Sequence, residues 1–362
     1  MVIFKTETKL NIKVVFFQLN MNKEDIEKFD LQKMLEEYND WPEMAEKAYN
    51  SFSENIEFKK INHIVFAGMG GSGAIGDVFS AILSKTNIHI SVVKGYVLPN
   101  TVNSETLVIT TSVSGNTLET ISVLKKAHEK NCNLIVFSSG GIMEKICDEK
   151  KITHFNVKMS HSPRTSFVIY LYTMLKILNK VINLKNEDVI ESIQKLKNQR
   201  DIINSKNLKN NFAIELAKWI DSIPLIYYPF GLQSTAIRFK NSMQENAKTH
   251  AISEDIIEAC HNGVVAWEKF SEIKPILIEG EDDFEKTKER WIIIKEFFNA
   301  EKIEYKEVFS TKGSILSKIV NLIYFLDYVS IYNAIYKKID PTPVKSIDYI
   351  KKNMVYSDKF KN

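Results

Sequence analysis

The sequence predicts an α/β protein, with mainly parallel sheets flanked by helices in an αβα sandwich, and three observations carry that prediction. Short apolar runs of strand length alternate with longer segments whose apolar residues recur at helical spacing. Two loops rich in glycine and small hydroxyl residues each follow such a run and open such a segment. The alternation also occurs twice, on either side of a Lys- and Asn-rich stretch. The expected organisation is an N-terminal extension over 1–20, a helical segment over 21–55, a first α/β unit over 56–182, a helical linker over 183–211 and a second unit over 212–362.

The elements follow in order. Ile26, Phe29, Met34 and Leu35 have helical spacing, and Trp41-Pro42 breaks that run. Residues 64–67 read as a buried strand, followed by the loop "GMGGSG" and a helix over 75–83. Strands are expected over 88–93 and 107–111, then "SVSGNT" and a helix over 118–129. A strand over 134–137, a helix near Met143 and an apolar helix over 167–181 complete the first unit. The second unit offers strands over 225–228, 275–279 and 305–309. Its helices are expected over 235–248, 284–299 and 315–336, with a last helix after Pro341 and Pro343.

Composition bounds the function. The 362 residues are 44% hydrophobic and 26% charged, with a net charge of +3. That balance, with its basic residues dispersed, is not that of a nucleic-acid binder. No apolar stretch reads as long enough to span a bilayer. Three cysteines without metal spacing point to a reducing, cytoplasmic setting. The seven histidines are scattered, so no metal site is expected. The first twenty residues lack a signal-peptide pattern, and Met21 opens a more usual start; they are expected to be an extension or a misassigned beginning.

The glycine loop "FAGMGGSG" fits the dinucleotide template G-x-G-x-x-G. That site also needs an acidic residue closing the second strand, and Lys94 stands there instead. A basic residue could suit NADP, so an NADP oxidoreductase is one reading. The loop "TSVSGNTLET" favours another. Ser112, Ser114 and Thr117 offer three hydroxyls beside free backbone N–H groups at a helix start, the chemistry of a phosphate-monoester site. Capping alone would need one of them.

"SVSGNT" resembles the phosphosugar loop of sugar isomerase (SIS) domains, and "GMGGSG" resembles its companion. "SPRTS" around Arg164, the E-N-x-K of Glu245, Asn246 and Lys248, the pair His261-Asn262, and "DPTPV" occur in the order found in archaeal-type bifunctional phosphoglucose/phosphomannose isomerases. The resemblance runs from about Asp30 to Lys352 and implies two SIS-type subdomains. The sequence departs from the family at Val113, where an aromatic is frequent, and at Ile257–Gly263 around His261.

The resemblance implies an aldose–ketose isomerase acting on a small sugar phosphate without cofactor, as a homodimer. Glu245 would be the carbon base and His261 the ring-opening acid/base. Arg164 would stabilise the enediolate, and Lys351 would stand near the ring oxygen. Gly70, Gly71 and Ser72 would shape the first loop against the sugar, and Ser112, Ser114 and Thr117 would take the phosphate. A non-catalytic sugar-phosphate sensor on the same fold would need the phosphate loop but not Glu245, His261 and Arg164.

Overall fold

A computed structural model describes residues 3–5, 21–52, 56, 58 and 61–354. Strand β1 (Ile3–Lys5) falls within the expected extension; the other residues of 1–20 lie outside the described ones. Three short helices follow, α1 (Lys23–Phe29), α2 (Met34–Asn39) and α3 (Trp41–Asn50). Trp41-Pro42 therefore starts a helix as well as ending a run: proline lacks only an N–H that the first turn would leave unpaired.

The first unit contains β2 (His63–Ala67), α4 (Gly70–Leu83), β3 (His89–Val93), β4 (Leu107–Ser112), α5 (Leu118–Glu129), β5 (Asn133–Ser138), α6 (Gly141–Lys150) and β6 (Thr153–Asn156). Its sheet is wholly parallel, in the order β3-β2-β4-β5-β6. Helices α7 (Phe167–Ile177) and α8 (Asn179–Ile182) lead to α9 (Asn186–Ile203), which occupies most of the Lys- and Asn-rich stretch. Its lysines and asparagines face outward while Val189, Ile193 and Leu196 enter the core.

The second unit contains α10 (Phe212–Trp219), β7 (Pro224–Tyr228), α11 (Gln233–Glu245), β8 (Ile252–Asp255), α12 (Ile256–Ala259), β9 (Lys274–Glu279), α13 (Glu285–Ala300), β10 (Lys306–Phe309), α14 (Ile315–Tyr336) and α15 (Lys345–Asn353). A 3-10 turn, Gly263–Glu268, follows α12. Strands β10-β9-β7-β8 are parallel, and β1 adds antiparallel to β10, with Ile3 opposite Phe309. The α/β class with two mainly parallel, helix-flanked sheets holds. Strands β6 and β8 did not register as apolar runs because both are edge strands with largely polar residues.

The main hydrophobic core spans both units. It joins Ile64, Ile109 and Phe137 of the first sheet to Ile226, Ile276 and Val308 of the second through α7 and α14. Helix α14 is long and apolar enough to cross a bilayer, which the sequence reading did not allow for. However, 89% of its apolar window is buried within the protein, where it serves as a core helix packed on α9, α10 and α11.

Candidate active site

Helix α4 begins at Gly70, five residues earlier than its apolar pattern suggests, because the glycine loop is its first turn. The Met69 carbonyl accepts from the N–H groups of Ser72 and Gly73. The glycines allow close packing there. A Cβ on Gly73 would lie 2.7 Å from the Gly68 carbonyl oxygen, and one on Gly68 would lie 2.9 Å from the Thr111 oxygen. Ser72 is buried in this turn, while Gly70, at φ 54°, leaves its backbone facing open space.

The hydroxyl loop lies beside it, since β4 is next to β2 in the sheet. The Ser112 and Thr117 hydroxyls meet at 2.8 Å, and Ser114 Oγ accepts from the Asn116 N–H at 3.3 Å. Gly115 (φ 65°) presses on the next loop so closely that a Cβ would sit 1.7 Å from the Gly140 oxygen. Asn116 Oδ1 accepts from the Ile142 N–H, and the Gly115 carbonyl from the Met143 N–H. The loop is thus held from outside, with Ser114 exposed at its tip. Val113 is buried, and its carbonyl accepts from Ser139 Oγ at 2.5 Å.

Glu245 is the last residue of α11. A carboxylate at a helix C-terminus is opposed by the macrodipole, so its place needs compensation. Two cations supply it. Arg164 Nη1 approaches Glu245 Oε2 at 3.4 Å, and Lys248 Nζ donates to the Glu245 carbonyl at 2.6 Å. Arg164 is 7% exposed; its Nη2 donates to the carbonyls of Pro341 (2.8 Å) and Thr342 (2.7 Å). Lys248, at φ 53°, also reaches Pro341 (3.1 Å). Loss of hydration around its ammonium, then the neighbouring Arg164 charge, push its pKa down to about 8.

A cavity of about 980 Å³ opens here. Glu245, Lys248, Asp340, Gly70 and the first turn of α15 line it. Gly71, Arg164 and Glu245 line a small recess that shares Gly70 and Glu245 with it. The structure therefore brings Glu245, Arg164, Gly70 and Gly71 together, with Ser72 in the same turn as the two glycines. Ser112, Ser114 and Thr117 sit at the end of the neighbouring strand. His261 and Lys351 are not brought in: both are exposed and neither lines this cavity. His261 follows α12 beyond the edge strand β8, and Lys351 lies in the last turn of α15, whose residues are all outside the core.

Lys94, the one residue favouring NADP, is ion-paired with Asp77 of α4 at 2.5 Å, so its charge is already engaged. Among the described residues, no three His, Cys, Asp or Glu side chains cluster as metal ligands. Sequence reasoning missed Arg238, Asn241 and Ser242. They share the Glu245 face of α11 at helical spacing, and that spacing was the available signal.

The SIS domain model matches residues 57–174, and a model described as the bacterial phospho-glucose isomerase C-terminal SIS domain matches 209–354. These define a chain built from two SIS domains. A bifunctional phosphoglucose/phosphomannose isomerase from Thermoplasma acidophilum is 30% identical over 306 residues, 84% of this chain and 93% of the relative. One from Caldicellulosiruptor bescii is 29% identical over 89% of this chain and 98% of the relative. The chain belongs to the bifunctional phosphoglucose/phosphomannose isomerase family. Tagatose-6-phosphate ketose/aldose isomerase from Escherichia coli shares the fold, with a TM-score of 0.65 at 14% identity, covering 86% of this chain and 95% of that one.

Proposed function

We propose that this chain interconverts glucose 6-phosphate and mannose 6-phosphate with fructose 6-phosphate. The observation that carries the reading is the Arg164–Glu245 pair, whose carboxylate lines the cavity bordered by Gly70 of the first glycine loop and Asp340. The phosphate binds at Ser112, Ser114, Thr117 and the first turn of α5, where hydroxyls and free N–H groups suit a dianion. The glycine turn of α4 lets the sugar chain approach the backbone.

In the open-chain aldose, the Glu245 carboxylate takes the C2 proton. The electron pair left on C2 forms the C1–C2 double bond as the C1 carbonyl becomes an enediolate oxygen. The permanent charge and planar donors of Arg164 stabilise that oxygen. The O2 proton passes to O1, and Glu245 returns the carbon-derived proton to C1 as the O2 electron pair forms the ketone at C2. Return to either face of C2 yields both epimers. The family resemblance implies that His261 opens the pyranose ring and that a second copy of the chain supplies it in a homodimer; its exposed position outside this cavity is compatible with that arrangement. Lys351 assists near the ring oxygen in that assembly. No cofactor takes part, and the reading places the enzyme in the cytoplasm, where its three free thiols remain reduced.

The test is conversion of fructose 6-phosphate by EDTA-treated protein, followed by enzymes that detect each aldose. Formation of both aldoses is expected. Glucose 6-phosphate alone would confine the activity to the narrower class, and no product would overturn the reading.

A further inference from the structure

We propose that Arg238 is a positioning residue for this reaction: gripped by Asp327 of the central helix, it fixes the turn bearing Arg164 and so sets where that guanidinium meets Glu245. The inference rests on the functional reading above.

Arg164 lies in a turn between β6 and α7 that is closed locally by hydrogen bonds among Ser160, Ser162, Thr165 and Ser166. Arg238 ties that turn to α11 and α14. Its Nη2 donates to the Arg164 carbonyl at 2.9 Å, and its guanidinium lies over the Phe167 ring at 4.6 Å, so it grips both ends of that turn. Arg238 is itself constrained. Its Nη2 and Nε reach Asp327 Oδ2 at 2.8 and 3.2 Å. Asp327, fully buried in α14, also accepts from Tyr38 OH at 2.9 Å and Ser242 Oγ at 2.5 Å. Burial opposes the Arg238 charge, and the carboxylate of Asp327 leads the group of partners that outweighs it, holding the guanidinium above its usual range.

A dry ion pair of this kind is a weak source of stability, because apolar residues of similar volume often serve as well. It is a good source of orientation. The chain of contacts runs from Asp327 to Arg238, to the Arg164 backbone, and from the Arg164 side chain to Glu245. Arg238 and Glu245 also share one helix, seven residues apart, so the base and the tether of its partner move as one body. Arg238 Nη1 faces Gly71, at 3.7 Å from where a Cβ on that glycine would stand, which links the glycine turn to the same anchor.

The experiment uses the full chain and fructose 6-phosphate. The double variant Arg238→Met/Asp327→Leu removes the pair without stranding a charge. It should fold, with a lowered melting temperature, because the buried Tyr38 and Ser242 hydroxyls lose their acceptor. Its KM should change less than about threefold, since the hydroxyl loop is untouched, while kcat falls roughly ten- to a hundredfold from misplacement of Arg164. Arg238→Lys keeps a charge but lacks the second arm that reaches the Arg164 carbonyl, and should lose kcat to a smaller extent. A folded double variant with wild-type kcat overturns the inference. If the double variant does not fold, Tyr38→Phe replaces it; this change removes the hydroxyl that donates to Asp327 and accepts from Arg238 Nη2, loosening both members of the pair. A kcat drop of about threefold at constant KM supports the proposal, and an unaltered kcat overturns it. Wild-type protein without isomerase activity would overturn the functional reading, and this inference with it.

Discussion

Arg164 Nη1 and Glu245 Oε2 stand 3.4 Å apart, although 81 residues separate them and they belong to different SIS domains. The side-chain exposures are 8% and 29%, so the carboxylate is the member that can be reached from the cavity. A base needs that access, while a stabilising cation gains from a drier setting.

Glu245→Gln keeps the shape and removes the basicity. Turnover of fructose 6-phosphate should fall by at least about a hundredfold, the usual scale for a lost general base. Exchange of the C2 proton with deuterated solvent, followed by NMR, should fall in parallel. Exchange at the wild-type rate would remove Glu245 from this role.

The double change Ser114→Ala/Thr117→Ala should mainly raise KM, because it weakens phosphate binding in ground and transition states alike. Each neutral hydrogen bond contributes roughly 0.5–1.5 kcal/mol, and one to a charged oxygen more. Steady-state kinetics checks this, and an unchanged KM would show that the phosphate goes elsewhere.

Lys248 gives a pH prediction. Its ammonium ties the end of α11 to the Pro341 carbonyl and faces Arg164, Glu245 and Asp340. With its pKa pushed down to about 8, the charge is present below that pH and lost above it. The profile of kcat/KM should therefore fall on the alkaline side near pH 8. In Lys248→Arg, whose side chain stays charged, that fall should move to higher pH. An identical alkaline limb in both proteins would assign it to another group.

Mixing the variants Glu245→Gln and His261→Ala tests the shared site. Each homodimer should be nearly inactive. After unfolding and refolding together, random reassortment makes half of the dimers hybrids, and one of the two sites in each hybrid carries no lesion. About a quarter of wild-type activity should return. A mixture shown by mass spectrometry to contain hybrids, yet inactive, would place both residues in one chain.

Several of these features were legible before the structure. The buried central strands β2, β4, β5, β7 and β9 stand out as apolar runs, and the two loops announce themselves by composition. Strands β6 and β8 do not, because an edge strand needs no continuous apolar stretch. The residues of the cavity appeared as separate motifs, and nothing in the chain states that a glycine turn, a loop arginine and a helix-ending glutamate converge. Asp327 was a missed hint: the only acidic residue within α14, it could remain there only with a partner of opposite charge.

The placement of α14 bears on how the chain could be divided. Because this helix of the second SIS domain packs on α4 of the first, and on α9 from outside both matched spans, each domain completes its interior with residues from outside its own span. The two are therefore not modules in the sense of parts that can be recombined. Severing the chain between α9 and α10 would leave a wide apolar face on the N-terminal fragment, and the pieces should be insoluble apart and recover structure only when combined. In the intact chain the same interlock couples loss of one sheet to loss of the other, so calorimetry should record one transition for two domains.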